Sequence, residues 1–500
     1  MTTSAPLWKS KWLFILAAIG AAAGLGNLWR FPYMVYDNGG AAFIVAYLVC
    51  LLVFVIPLVT LETAWGQLER KEIVSALGAK AGWFGRFIGW MIVLTVAGIA
   101  GYYLTVIGWS VNFLYHSPML AWGENAQEFF FTNILNFHED PFSFGGFSTP
   151  ILVGLVISYL TVYFSIFKGI TSISHVIKWT VPLPFILLLV LFLNSLTLPG
   201  STEGFKFLIL PDWSKLSDPE VWRAAAGQSF FSANIGFGLI IMYAGFNHEK
   251  TNIAQAAFIV SIGNVLVSVL AALAIFGTLG YTAAQQGIAL TEVVASGPTL
   301  AFVAFPNALY TLPFARELFA TLFFLTVFTL AIDSAFAIIE IVATTVRNEF
   351  KEIYKKISHE VFMIIMCVIL FFWSLAFAGR NGLLRLDVFD HLLVEHVVFW
   401  FLIPEFVILA WITPVDKLRK YINQVSRMHI GKWFNVLVKF LVPVLLAAMY
   451  IPAISGEFTK PYGDYPVEFL KQWMMYPAIV IIVASALLAF RSHRKARAVK

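Results

Sequence analysis

Asp333 follows the apolar run LFFLTVFTLAI and precedes Ser334. A carboxylate in such a run costs a few kcal/mol unless it is partnered, so it marks a functional site by default. Carboxylate, hydroxyl and carbonyl oxygens together are the donor set of a hard cation such as sodium. The alternative is a carboxylate paired inside a helix bundle. A second chemical signal lies in AGLGNLWRFPYMVYDNGGAAF, residues 23–43, where Gly24, Gly26, Asn27, Arg30 and Pro32, with Gly20 just ahead, interrupt an otherwise apolar stretch. Irregular backbone in hydrocarbon needs protein, water or an ion to satisfy its freed polar groups. That pattern reads as an ion and small-molecule site, or as a glycine-packed helix kink. The same mixture recurs in GQSFFSANIGFGLIIMY, residues 227–243, at Ser232, Asn234, Gly236 and Gly238. Gln228 and Ser232 are four apart, as are Asn264 and Ser268, so each pair of hydroxyl and amide side chains projects from one helical face.

The elements that must hold these groups are membrane-spanning. The 500 residues are 60% hydrophobic and only 12% charged, with mean hydropathy +0.82, outside the range of soluble domains. Apolar runs of spanning length fall at residues 12–36, 40–69, 87–115, 150–167, 179–198, 223–246, 254–281, 316–346, 360–378, 395–413, 434–452 and 473–490. The expected fold is an all-α membrane protein of about 12 transmembrane helices. The two interrupted runs are the first and the sixth. Interrupted helices at equivalent places in two halves point to a five-plus-five inverted repeat, residues 12–198 and 223–413, followed by helices eleven and twelve within 434–490 and a basic tail, 491–500.

Lysine and arginine assign the sides. Lys9, Lys11, Arg70, Lys71, Lys80, Arg86, Lys168, Lys178, Arg347, Lys351, Lys417, Arg419 and the tail fall on one face, which the positive-inside rule makes cytoplasmic, with both termini there. The opposite connection 115–150 carries Glu124, Glu128, Glu139 and Asp140 and no lysine or arginine. The net charge of +5 then follows from topology, and the basic tail is expected to meet anionic lipid rather than nucleic acid. No cleavable leader is expected, because no short apolar region with a small-residue cleavage site opens the chain. Cys50 and Cys367 lie in apolar runs, which argues against a disulfide framework or a metal cluster. His175, His391 and His396 show no hydrolase spacing, and HExxH, GxSxG and Walker patterns are absent from the sequence, so no enzyme is expected.

Several stretches carry a family resemblance over nearly the whole chain: GLGNLWRFPYMVYDNGGAAF, Pro57 and Glu62, YYLTVIGW from Tyr102, the GFG of residues 236–238, GNVLVSVLA from Gly263, TLAIDSAFAIIE from Thr329 and LDVFDHLLVEH from Leu386. In these the sequence resembles the neurotransmitter:sodium symporter family and its bacterial leucine-transporter type. The resemblance implies a symporter that couples sodium to uptake of a small solute by alternating access. It implies one sodium held by Ala22, Asn27, Ser232 and Asn264, and a second by carbonyls of Gly20, Ala23 and Leu330 with the side chains of Asp333 and Ser334. Glu62 is implied to brace the broken sixth helix.

The same resemblance gives the substrate carboxylate the backbone of Leu25 and Gly26 and the hydroxyl of Tyr103, with Ala22, Gly24, Ile99, Phe231, Ser232, Asn234, Phe237, Ser334 and Ile338 completing the pocket. Relatives that carry monoamines place an aspartate where this chain has Gly24, so the expected substrate is a neutral amino acid. Tyr47, Gln228, Ser232, Asn264 and Ser268 match the chloride site of chloride-dependent members, where chloride-independent bacterial relatives put a glutamate at the position of Ser268. Chloride is therefore expected beside sodium. Arg30 and Asp390 match an outer gate, above a lid of Phe231 and Tyr103. The family's inner ion pair is missing, since its two positions hold Ala5 and Asn348; Lys9, Lys11 and Glu349 are the nearby charges. The expected partners are the amino-acid substrate and the lipid bilayer of the cell membrane, with the chain a monomer or homodimer. A non-transporting amino-acid sensor on the same fold is the alternative, because fold does not fix function.

Overall fold

The computed structural model describes residues 7–295, 297–459 and 461–498. Helices dominate, and extended pairing among the described residues is limited to the isolated bridges Gly40↔Pro211 and Phe147↔Gly379. Ten helices are long and apolar enough to cross a membrane, and a bent pair makes an eleventh. That pair is the first span, Lys11–Ala22 and Gly26–Asp37, bent by 60°. The sixth segment is in two short pieces, Pro219–Ser232 and Leu239–Ala244, each too short to pass as a span alone. With it counted, the segments number twelve, as the hydropathy pattern predicts.

Local chemistry sets the helix starts. Asp218 accepts from the backbone of Glu220 ahead of Pro219, Asn252 accepts from Gln255, and Ser358 accepts from Val361, each supplying an acceptor to first-turn amides that have none. Outward faces of the spans expose Leu52, Phe164, Leu193, Phe372, Val444 and Leu487, the surface a lipid-embedded protein needs. The third span, Ile73–His116, and the eighth, Arg316–Glu349, bury most of their residues and form the centre of the bundle.

Three expected boundaries are corrected. The tenth span begins at Gly382 rather than 395, because Arg385, Asp387 and Asp390 lower its hydropathy, although the two aspartates face a polar vestibule and Arg385 lies against the rings of Phe144 and Trp473 rather than lipid. The third span is continued backwards by a kinked segment from Ile73, with the kink at Ala81 and Gly82. The twelfth runs Val467–Ala498, so most of the basic tail prolongs a helix.

The sixth segment breaks where the sequence forces it. Asn234, Gly236 and Gly238 all adopt positive φ (+51°, +82° and +73°), a region open to glycine, tolerated by asparagine and costly for other residues. At Gly236 a Cβ would also lie 2.1 Å from Leu402 Cδ1. The inner half, Leu239–Ala244, then packs against the second span so closely that a Cβ on Gly66 would stand 2.3 Å from the carbonyl oxygen of Ile241. Backbone cannot yield as a side chain does, so Gly66→Ala is expected to cost about 1–3 kcal/mol and to lower the unfolding temperature in detergent. Gly227→Ala is the control: its Cβ meets only Met449 Cε at 3.6 Å, and thermal unfolding of that variant should match or exceed the parent's.

Candidate functional site

Both breaks face one cavity of about 610 Å³. Its walls include all twelve residues expected to line a substrate pocket, Ala22, Gly24, Leu25, Gly26, Ile99, Tyr103, Phe231, Ser232, Asn234, Phe237, Ser334 and Ile338. The cavity widens into a vestibule bordered by Asp387, Asp390, His391, Glu395, Tyr462 and Tyr465. Tyr462 and Tyr465 both donate to Asp387, at 3.1 and 2.8 Å. Burial, then the charge of Asp387, pushes both phenols up from their ordinary values, so they remain donors at neutral pH.

The broken helices are stitched to one another and to the eighth span. Ser334 Oγ donates to the carbonyls of Gly20 and Ala21 at 3.3 and 3.1 Å. Asn234 donates its amide to Ala21, tying the sixth break to the first. Glu62 Oε1 accepts from the Gly236 amide at 2.7 Å, the bracing role the resemblance implies. Asp333 is 1% exposed; its Oδ1 has no hydrogen-bond partner, and its Oδ2 would lie 3.2 Å from a Cβ on Gly20. Beside Gly24, a Cβ would meet Ser334 Oγ at 2.9 Å and Tyr103 Oη at 3.0 Å, so any side chain there displaces the tyrosine.

A second polar knot joins the first, sixth and seventh spans. Asn27 Nδ2 donates to Asn264 Oδ1 (2.8 Å), Ser268 Oγ (2.8 Å) and Ser232 Oγ (3.2 Å), and Asn264 Nδ2 donates to Ser232 Oγ (2.8 Å). Asn27 Oδ1 accepts from the Gly24 amide at 3.0 Å, so this amide presents its nitrogen to the knot. Tyr47 Oη and both ends of the Gln228 amide are fully buried with no hydrogen-bond partner. Tyr47 lies beside the hydroxyls of Ser232 and Ser268. Orphaned donors cost about 1–3 kcal/mol each when nothing accepts from them, so these groups suit an acceptor.

At the outer end the expected partners change. Arg30 pairs with Glu395 at 3.5 Å, while Asp390 accepts from Tyr102, and no Arg30–Asp390 ion pair forms among the described residues. The reason is local: a π-turn over Leu392–Val397 carries Glu395 towards the vestibule. Arg30 also lies 4.8 Å above the ring of Phe231, which places its cation on the expected lid.

The inner end is closed by Trp8, which the sequence did not single out as a latch. Its indole donates to the Tyr243 carbonyl at 2.9 Å, its backbone amide to Phe246 at 3.0 Å, and its carbonyl lies 3.0 Å from His248 Nε2. Lys11 reaches Gln255 at 3.3 Å. Glu349 pairs with Arg86 and accepts from Ser75, both at 3.0 Å, and its carbonyl holds Lys495. Ala5 lies outside the described residues, and Lys9 is exposed. Next to Glu349, Glu72 caps the third span; burial, then that neighbouring charge, pushes its carboxyl up to about 7. Cys50 and Cys367 are free and buried, as their apolar surroundings predict.

Comparison with known proteins agrees with this architecture. The sequence profile of the sodium:neurotransmitter symporter family matches residues 5–127 and 119–493. An uncharacterized sodium-dependent transporter of Methanocaldococcus jannaschii is 35% identical over 478 residues, covering 95% of both chains. The sodium- and chloride-dependent GABA transporter 2 of Mus musculus is 32% identical over 438 residues, 81% of this chain and 72% of its own. The sodium-dependent serotonin transporter of Drosophila melanogaster is 31% identical over 502 residues, 92% of this chain and 79% of its own. A cavity built from two broken helices at the middle of a membrane bundle, together with these matches along almost its full length, makes the chain a member of the sodium:neurotransmitter symporter family, a sodium-dependent transporter and not an enzyme.

Proposed function

We propose that the protein moves a neutral amino acid across the cell membrane together with sodium, using chloride as a counter-charge. The observation that carries this reading is the cavity itself: it joins both helix breaks, holds the unpaired hydroxyl of Tyr103, and has no carboxylate at Gly24. The backbone of Leu25 and Gly26 and the Tyr103 hydroxyl, which all line the cavity, suit a substrate carboxylate, and half-helix ends add partial charge. Phe237, Ile99 and Ile338 supply apolar wall. Asn234 gives one N–H to Ala21 and lines the pocket, so the rest of its amide leaves room for a polar or a small substrate side chain.

In this reading Asp333, Ser334 and the carbonyls of Gly20, Ala23 and Leu330 take one sodium. Ala22, Asn27, Ser232 and Asn264 take the other, and the Asn27 amide turns by half a rotation to present its oxygen. Tyr47, Gln228, Ser232, Asn264 and Ser268 hold chloride. At an effective dielectric near 20, an anion about 5 Å from a sodium contributes roughly 3 kcal/mol before desolvation. The two halves, residues 12–198 and 223–413, act as inverted repeats, with both termini on the cytoplasmic side. Release of the Trp8 latch opens the inner end as Arg30 and Glu395 close the outer.

Accumulation of labelled amino acids in proteoliposomes under an inward sodium gradient tests the reading, scanned across the neutral side chains. Accumulation of one of them that collapses with the gradient is the expected result; binding without accumulation would indicate a sensor, and preference for a decarboxylated amine would refute the amino-acid assignment.

Asp333→Asn should weaken sodium dependence at least tenfold while leaving folding intact, since one anionic oxygen is worth more to a hard cation than to packing. An unaltered sodium titration in that variant would remove Asp333 from the site.

Replacing chloride by gluconate should suppress uptake by the parent protein, and Ser268→Glu should restore chloride-free uptake by supplying the charge covalently. Full activity of the parent in gluconate would sink the chloride assignment.

A further inference from the structure

His391, His396 and Glu457 come together at the edge of the outer vestibule, although no spacing in the sequence announces it. Glu457 Oε1 lies 2.7 Å from His391 Nε2 and 3.8 Å from His396 Nε2. All three candidate ligand atoms lie within 4.8 Å of one another. The two histidines are five apart on the tenth span. In a regular α-helix they would be rotated by about 140°. The π-turn over Leu392–Val397 changes that, because i→i+5 bonding brings residues five apart towards one face. Their rings stand 5.2 Å apart, nearly perpendicular at 85°. Tyr462 stacks on His391 at 3.6 Å, fixing that ring.

His396 is the second observation. It is 6% exposed, and its Nε2 is aimed at Glu457 yet has no hydrogen-bond partner. A buried imidazole nitrogen left in this way costs free energy unless something takes its lone pair. We propose that His391, His396 and Glu457 bind a transition-metal dication of the zinc class and that the bound ion fastens the outer end of the tenth span to the eleventh. Two imidazoles and one carboxylate form a three-ligand zinc set with a fourth position left for water. Bonds of about 2.0–2.2 Å place tetrahedral ligand atoms about 3.4 Å apart, so the cluster reaches that geometry by shifts of about an ångström or less. Magnesium and calcium, which prefer oxygen ligands, are excluded by the imidazoles.

Access and consequence both follow from position. His391 borders the vestibule with Asp387, Asp390 and Glu395, whose negative charge concentrates cations at its mouth. Glu395, the partner of Arg30, lies between the two histidines in the same π-turn. A metal holding residues 391 and 396 against the eleventh span therefore holds the backbone that carries Glu395. Metal on the outside should hold the outer end in this arrangement, with Arg30 and Glu395 paired, and so slow its opening.

Binding is tested without transport by equilibrium dialysis of the tag-free protein against zinc chloride. One zinc per chain is expected, unaffected by excess magnesium, with affinity falling at least about tenfold in each of His391→Ala, His396→Ala and Glu457→Gln. Zinc added outside proteoliposomes should slow uptake, EDTA should reverse it, and the ratio of uptake with and without zinc should return to one in Glu457→Gln. Zinc affinity in His391→Ala and Glu457→Gln equal to that of the parent protein would overturn the site. Stoichiometric zinc that leaves uptake unchanged would overturn the brace.

Discussion

Hydrocarbon offers no hydrogen bonds, and the rest of this structure depends on how that debt is met where two helices break. The first break frees carbonyls near Gly20 and Ala21, and the sixth frees amides near Gly236. Each is answered by a side chain from another span: Ser334 from the eighth and Asn234 from the sixth take the carbonyls, while Glu62 from the second takes the amide. A broken helix in a bilayer is thus a shared object, held by neighbours rather than by its own ladder. Because the neighbours leave a cavity between them, the polar groups needed for stability also surround the place where a solute can sit.

Much of this was legible in the sequence because it is written in residue types that are costly elsewhere. Asn27, Asp333 and the GFG at residues 236–238 have no inexpensive role in apolar spans, and the structure gathers them around the two breaks. What escaped the sequence depends on helix phase. A π-turn inserts one residue into a turn without leaving a compositional mark, so the shift that sends Glu395 to Arg30 could not be counted from α-helical periodicity. The convergence of His391 and His396 escaped for the same reason. Trp8 escaped for another: its partners are main-chain carbonyls of residues 243 and 246, and backbone acceptors are invisible to side-chain pattern reading. Hydropathy also cut the tenth span short, since the charges at its outer end look like a loop until the vestibule they face is seen.

Chemistry is divided along the length of the molecule. The middle is made largely of hydroxyl, amide and carbonyl groups around the buried carboxylates of Asp333, Glu62 and Glu405, a setting for small hard ions. The outer end is acidic, with Asp387, Asp390 and Glu395 around the vestibule, and the inner surface carries Arg86, paired with the carboxylate of Glu349, and Lys495, which donates to the Glu349 carbonyl. Residues of the tenth span serve two of these regions, because Glu405 lies beside Gly236 at the sixth break while Glu395 faces the vestibule. One helix, with a π-turn and Pro404 along its length, thus joins the sixth break to the vestibule.

The two ends of the path are closed by forces that differ in kind. Trp8 is 1% exposed and holds the inner end through hydrogen bonds to neutral carbonyls, whereas Arg30 and Glu395 meet across a water-accessible mouth with about a third of each side chain exposed, at 29% and 36%. Mobile ions weaken a bond between exposed charges, with a Debye length of about 8 Å at physiological ionic strength, and leave a buried neutral bond almost untouched. Ionic strength is therefore a one-sided lever on this molecule: raising it loosens the contact between Arg30 and Glu395 while the seal at Trp8 keeps its strength.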